Sequence, residues 1–207
     1  QMCIRDSNSL GLTKRPQWLF WAFVIFAFAA GIAGDSFAAS GHAINILAVP
    51  LLLLILWNVL FYLGMALNQA FQFRHFKKAK PDLAQQVALW HGKTYLHAAA
   101  VALAVGVLFG MYWRGLVFEY QAVWQSTFLS AQNVHAFLSF VLTPAVWLSG
   151  TAFPDVNHLA QLQFPAHVGE NAGRWIHWYA ITVLLVIVLP RLVLAWLSHR
   201  RCLLYTS

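Results

Sequence analysis

Cysteine is almost absent from this chain. Only Cys3 and Cys202 occur among the 207 residues, and both lie close to an end. The long stretch between them can form no disulfide, no thiolate metal site and no cysteine nucleophile. It also gives no cysteine-based indication of the redox compartment.

Charge is scarce, and most of it is positive. Charged residues make up 9% of the sequence against 60% hydrophobic residues, and the mean hydropathy is +0.63. The 13 Lys and Arg residues outnumber the 6 Asp and Glu residues, which gives a net charge of +7. This composition is typical of a protein embedded in a membrane.

Recognisable catalytic motifs are absent as well. The sequence has no Walker loop, no Gly-x-Ser-x-Gly, no His-Glu-x-x-His and no dinucleotide-binding fingerprint. Each of these patterns places a nucleophile, a metal or a phosphate in a defined geometry. We therefore expect that the protein is not an enzyme.

The two ends carry related DNA strings. Cys202–Ser207 can be encoded by TGT CTC TTA TAC ACA TCT, and the codons of Met2–Ser7 can spell its reverse complement. The string resembles a transposase adapter end used to build sequencing libraries. We interpret residues 1–7 and 202–207 as translated adapter and exclude them from fold reasoning. Residues 8–201 are then expected to be one helical membrane domain, and a fragment of a longer chain.

Four apolar runs occupy most of this domain. They are Trp18–Gly34, Ile46–Leu67, His97–Trp113 and Trp175–Leu197. A helix needs roughly 17–25 residues to cross a hydrocarbon core of about 30 Å. The sequence therefore predicts an all-α integral membrane protein with about four transmembrane helices, surrounded by a lipid bilayer.

The basic residues predict the orientation of these helices. They precede the first run, follow the last, and gather between the second and third: Lys14, Arg15, Arg74, Lys77, Lys78, Lys80, Lys93, His199, Arg200 and Arg201. By the positive-inside rule both termini and the 68–96 loop are cytoplasmic, while 35–45 and 114–174 face outward. Five crossings would put the final arginines outside. Because these charges flank membrane spans, we expect no nucleic-acid partner.

Two local patterns refine the bundle. After Pro81-Asp82, an apolar stripe at Leu83, Val87 and Trp90 predicts a short helix lying on the membrane surface. In the third run small residues recur every fourth position, at Ala98, Ala102, Gly106 and Gly110. Such a stripe permits close helix packing, within the bundle or at a homodimer seam.

The outward segment also contains an apolar stretch, 131–149, that is interrupted by polar residues. These are Gln132, Asn133, His135, Ser139, Thr143 and Pro144. A span fully exposed to lipid would not carry so many polar groups. We expect an amphipathic segment that is interfacial or re-entrant.

A polar cluster at the outer boundary is the candidate site. Arg114 and Glu119 form its proposed ion pair, which either pins the segment to the bundle or binds a ligand. The other candidate members are Tyr120, Trp124, Ser126, Thr127, His177 and Arg191. Arg191 is also expected to snorkel to the cytoplasmic boundary, and Asn58 to serve helix packing or contact a substrate or ion.

The histidines suggest a haem or metal only weakly. His97 and His177 begin opposite ends of their runs, so they cannot share one haem. His135 and His177 could meet outside, where an interfacial hydrogen-bonding set is the simpler interpretation. We expect no metal and no cofactor.

Three blocks resemble one family. Arg114–Leu129, Trp175–Thr182 and Leu189–Leu192 resemble the signature of bacterial membrane proteins filed as domain of unknown function 2868, with a looser likeness over 16–67. Gln125 stands where that likeness leads us to expect Glu. The resemblance implies a bacterial inner-membrane protein without established activity, a further C-terminal region, and a GTPase-like soluble partner.

The favoured function is a non-catalytic membrane scaffold or sensor that works with this soluble partner. A small-solute or ion transporter subunit that uses Arg114 and Glu119 is one alternative, although the spans show no inverted repeats. A b-type cytochrome is the other.

Overall fold

The computed structural model describes residues 17–38, 43–47, 49–75, 83–166 and 169–204. Residues 1–7 lie outside these ranges, as do Lys14, Arg15, Lys77, Lys78 and Lys80. The described chain is mostly helical, as predicted. Its helices are α1 (Gln17–Ala38), α2 (Val49–His75), α3 (Leu83–Val117), α4 (Ala131–Ser149), α5 (Val156–Ala160), α6 (Gly173–Val183) and α7 (Leu189–Leu204), and a π-helical turn, Leu184–Val188, joins the last two.

Three stretches are long and apolar enough to cross a membrane. They are Pro50–Gln69 in α2, Leu89–Val117 in α3, and Gly173–Arg200 from α6 to α7. They correspond to the second, third and fourth predicted runs. The first run, Trp18–Gly34, is a shorter apolar helix within α1.

Helix α3 corrects one prediction. It runs without a break from Leu83 to Val117, so the separate surface helix predicted after Pro81-Asp82 does not exist. At about 1.5 Å per residue its 35 residues extend roughly 52 Å. The polar residues His91 and Lys93 interrupt the apolar run, but they do not interrupt backbone hydrogen bonding.

Glycines allow α1 and α3 to pack closely. A Cβ atom added at Gly106 would lie 2.2 Å from the carbonyl oxygen of Phe28, and one at Gly31 would lie 2.3 Å from that of Leu103. Real Cβ atoms do not approach a backbone this closely. The predicted small-residue contact within the bundle is therefore confirmed at Gly106.

Three short strands correct the all-helical prediction. They are β1 (Ala43–Asn45), β2 (Gln121–Val123) and β3 (Glu170–Asn171). The first pairs in parallel with β2, with Ala43 opposite Gln121, and β3 pairs antiparallel to β2, with Gln121 opposite Asn171. Strands of two or three residues are too short to show the period-two pattern that would predict them.

The sheet joins segments that are distant in sequence at one end of the bundle. It connects the chain after α1, the chain after α3 and the chain before α6. We call this region the cap and define it as residues 43–47, 118–166 and 169–172. Ile46 strengthens it by donating from its amide to the carbonyl of Val123, at 2.7 Å.

Helix α4 covers the cap as one unbroken helix. The Ser130 hydroxyl caps its first turn by accepting from the amide of Asn133, and Gly150, with φ of 65°, ends it in a left-handed conformation. One stripe is fully buried: Val134, Leu138, Leu142 and Ala145. This stripe packs α4 onto the rest of the cap and α6.

The last helix contains a π-helical turn for a local reason. The amide of Leu189 donates to the carbonyl of Leu184, five residues back. The next residue, Pro190, has no N–H to donate, and its ring crowds the preceding turn. A wider turn just before it accommodates the ring, so the helix continues into α7 without a break.

Candidate functional site

The Glu170 carboxylate has several polar contacts with residues of the cap and of the start of α6. Its Oε1 accepts from Nε1 of Trp175 at 2.7 Å and from Nη2 of Arg174 at 3.0 Å. Its Oε2 lies 2.9 Å from Nε2 of His158. The carboxylate therefore ties α5 and the start of α6 to strand β3.

These contacts also decide the ionisation of Glu170. Burial alone would raise the pKa of its carboxyl. The hydrogen bonds from Trp175, His158 and Arg174, together with the charge of Arg174, outweigh burial and hold that pKa below its ordinary value. Glu170 is therefore charged near neutral pH.

Tryptophans fill the space beneath this carboxylate. Trp178 donates from Nε1 to the hydroxyl of Thr151 at 3.0 Å, and the Phe153 ring stacks on it with centroids 5.6 Å apart. Trp124 is fully buried and donates to the carbonyl of Leu159 at 2.7 Å. Each indole thus has both its apolar body and its N–H satisfied.

The described ion pairs do not include one between Arg114 and Glu119. Within the described side chains Glu119 is exposed, and it lines a pocket of about 290 Å³ together with Asn171 and Ile176. Arg114 is half-buried near the end of α3. Helix α3 ends at Val117, and in the link to β2 Glu119 is exposed whereas Tyr120 is buried.

The other predicted outer residues serve separate local purposes. The Ser126 hydroxyl accepts from the amides of Phe128 and Leu129, which stabilises a turn, and Thr127 is exposed. His177 is exposed too, with its Nδ1 2.7 Å from the Tyr112 hydroxyl. Tyr120, Trp124, Ser126 and Thr127 lie in the cap and His177 lies in the adjoining helix α6, and they do not form one site.

Arg191 lies far from all of them. Fourteen residues separate it from His177 along the last helix, which is roughly 20 Å. The snorkelling prediction is also wrong, because Arg191 is only 4% exposed. Its side chain turns inward, between helices, rather than towards the end of the bundle.

The inward turn brings Arg191 to two residues that are equally buried. Its Nε donates to Oδ1 of Asn58 at 2.9 Å, and its Nη1 lies 3.3 Å from Nδ1 of His97. Asn58 and His97 are 2% and 4% exposed. One polar residue from each of the three longest apolar stretches thus meets at a single point, which we call the Arg191 cluster: Asn58, His97 and Arg191.

Aromatic rings surround the guanidinium. Its central carbon lies 3.9 Å from the centroid of the Phe61 ring and 5.4 Å from that of Tyr62. A cation over an aromatic face is stabilised by the ring quadrupole. Asn58 is held in place by its own Nδ2, which donates to the carbonyl of Leu54 at 2.8 Å.

Sequence reasoning missed the Arg191 cluster. Asn58 and Arg191 were each noted, but in different roles, and His97 was considered only as a haem ligand. The one usable signal was that each is an isolated polar residue inside an apolar stretch. The spacing of these three residues in the sequence does not indicate that the helices bring them together.

His135 of the cap and His177 of α6 do not meet either. His135 packs edge-on against Phe153, whereas His177 contacts Tyr112. Tyr112 lies fifteen residues beyond His97 on α3, so His97 and His177 are roughly 22 Å apart. Within the described residues, no group of three His, Cys, Asp or Glu side chains has a metal-binding arrangement.

The comparison with known families gives one match. Residues 50–204 match the family described as protein of unknown function, DUF2868. The chain belongs to this family. No curated protein and no solved structure is detectably similar to it.

The DUF2868 match covers both polar centres. It includes α2 to α7, and hence the Arg191 cluster and the Glu170 contacts, but not α1 or β1. Of the looser likeness expected over 16–67, residues 16–49 lie outside the matched region. The family description itself assigns no chemistry to any residue.

Proposed function

We propose that this DUF2868 protein is a non-catalytic scaffold or sensor of the bacterial inner membrane. In this proposal the chain crosses the bilayer four times, with the cap outside and both ends of residues 8–201 in the cytoplasm. A soluble, GTPase-like protein binds the cytoplasmic side. The partner rests on the family resemblance, and the architecture rests on the contacts described above.

The connectivity supports four crossings. The chain enters the cap after α1, leaves it with α2, returns at the end of α3 and leaves again with α6. Helix α1 packs along α3, which is one of the membrane-length helices. Basic residues of α7, including Arg200, lie at the end away from the cap, as the positive-inside rule requires.

Helix α4 supports an interfacial position for the outward segment. Opposite its buried stripe, large apolar side chains follow one edge at helical spacing: Phe137, Phe140, Trp147 and Leu148. Phe140 is 82% and Trp147 83% exposed. Polar residues follow the other edge: Gln132, Ser139 and Thr143. Such a helix fits the boundary between lipid and water.

One observation supports the proposed sensor function. The last helix extends from the cap, where Trp175 and Trp178 are anchored, through the π-helical turn to the basic end. A change in the cap would therefore reach the cytoplasmic end through one continuous helix. The buried Arg191 cluster lies on this connection.

Co-purification tests the proposal. The protein, extended by its native flanking sequence, would be tagged and isolated in gentle detergent with GTP or GDP present. We expect a GTPase-like protein to accompany it in a nucleotide-dependent way. A Glu119→Gln variant, altered only at an exposed cap carboxylate, serves as the control and should retain the partner. If nothing accompanies the protein and vesicles containing it move a solute, the scaffold proposal is wrong and the transporter alternative gains support.

A further inference from the structure

Arg191 carries a buried positive charge without a neighbouring carboxylate among the described side chains. The three carboxylates described there, Glu119, Asp155 and Glu170, all lie in the cap. The immediate neighbours of Arg191 are instead an amide, an imidazole and two aromatic rings. None of these neighbours is a carboxylate that would neutralise the guanidinium charge. Arginine also cannot lose this charge by deprotonation in a protein.

This charge also lies deep within the bundle. Nine residues separate Arg191 from Arg200 at the end of the apolar stretch, which is roughly 14 Å. Asn58 is near the middle of the stretch Pro50–Gln69. In a bilayer an unpaired cation at this depth is costly and usually marks a functional site.

The surroundings of Arg191 are rich in donors and poor in acceptors. The guanidinium has five N–H groups, and its described acceptor contacts are with Asn58, His97 and the Tyr62 side chain. The Tyr62 hydroxyl is buried beside it and interacts with Arg191, but it makes no hydrogen bond of ordinary geometry. An oxyanion would accept from both groups at once.

We infer that the Arg191 cluster binds a small oxyanion, a carboxylate or a phosphate group. Arg191 supplies the charge and its planar fork, and Tyr62 supplies a hydroxyl donor. Asn58 and His97 are positioning residues that hold the guanidinium. The π-helical turn before Pro190 sets the orientation of this part of the helix, and such turns occur frequently at functional sites. This inference does not depend on the soluble partner.

Thermal unfolding in nanodiscs tests the site. The anion would be inorganic phosphate or acetate added to phosphatidylcholine discs, or phosphatidylglycerol built into the disc. Binding to the folded protein raises the unfolding midpoint, by about 3–6 °C at ten times the dissociation constant. A response to the soluble anions identifies a solute, and a response to phosphatidylglycerol alone identifies a lipid headgroup.

Tyr62→Phe is the decisive variant. The hydroxyl makes no hydrogen bond of ordinary geometry, so its removal should lower the unfolding midpoint without anion only slightly. We expect the anion to bind about tenfold more weakly or worse. Arg191→Lys should also abolish the response, because lysine keeps the charge but loses the fork.

Arg200→Gln provides the matched control. Arg200 is an exposed cation on the same helix, stacked on Trp196 at 4.5 Å, and its removal should leave the anion response intact. The inference is overturned if neither phosphate, acetate nor phosphatidylglycerol stabilises the protein. It is overturned equally if Tyr62→Phe responds like the unchanged chain, even where the Arg191 variant fails to fold.

Discussion

Two residues organise the polar interior of this protein in opposite ways. Glu170 is a charge with several donors around it, from the cap and the start of α6, and it is partly exposed to solvent. Arg191 is a charge held mostly by neutral groups, deep between helices. The first arrangement satisfies its charge locally and stabilises a fold. The second leaves charge uncompensated, which is why we assign it a ligand.

The Glu170 contacts make stability depend on pH. Because the pKa of Glu170 is lowered in the folded protein, its contribution is fully present above the ordinary pKa of 4.5. It is lost as the pH falls through the lowered value. We expect Glu170→Gln to cost about 1–2 kcal/mol at neutral pH, since several hydrogen bonds to a partly exposed charge are weakened.

Thermal unfolding at a series of pH values measures this effect. The variant should show a smaller loss of stability below pH 4.5 than the unchanged chain. Glu119→Gln is the matched control, because Glu119 is an exposed carboxylate in the same cap. Equal stability of the two variants would contradict the assigned role of Glu170.

At the level of elements, α3 is the axis of the bundle. It packs against α1 on one side and against the last helix on the other. The contact with α1 depends on backbone approach at Gly31 and Gly106, while the contact with the last helix includes His97 and Arg191. Small residues and a buried polar contact thus hold the same helix in two different ways.

Gly106→Ala should separate α1 from α3. The new methyl group would lie 2.2 Å from the Phe28 carbonyl oxygen, so the helices must move apart, at a cost of about 1–3 kcal/mol. Unfolding in detergent at a fixed temperature measures the loss. At Gly64 an added Cβ meets nothing within 4 Å, so Gly64→Ala should be neutral or stabilising. A similar loss of stability in both variants would show that the close approach of α1 to α3 is not the cause.

At the level of the whole molecule, the sheet decides which segments lie together. It joins β1 to β2 and β2 to β3, so the segments at 43–45, 121–123 and 170–171 share one end. These segments belong to the two regions that the charge pattern predicts to face outward. The proposed orientation therefore states that the cap is outside and that the opposite end of the bundle is in the cytoplasm.

Cysteine labelling of intact cells tests that statement. With Cys3 and Cys202 replaced by serine, Thr143→Cys on the polar edge of α4 should react with a membrane-impermeant maleimide. His199→Cys, at the opposite end, should react only after the cells are permeabilised. Phe140→Cys, on the apolar edge, should react slowly, because a thiol in lipid does not ionise. Equal labelling of Thr143→Cys and His199→Cys in intact cells would refute four crossings.

The sequence by itself determined the helical class and the family. Long apolar runs produce helices whatever their neighbours, because backbone hydrogen bonds are local and the lengths match a bilayer. For the same reason the apolar runs at 46–67, 97–113 and 175–197 correspond to membrane-length helices. The family signature is likewise carried by short blocks of consecutive residues.

Only the tertiary structure decided which polar residues meet. Arg114 and Glu119 are close in sequence, but helix α3 ends between them and the described ion pairs do not include this pair. Asn58, His97 and Arg191 are far apart in sequence and converge because three helices pack at one level. The strands of the cap could not be predicted from the sequence for a related reason. Segments of two or three residues show no periodicity. They form strands only where another part of the chain supplies the hydrogen-bond partners.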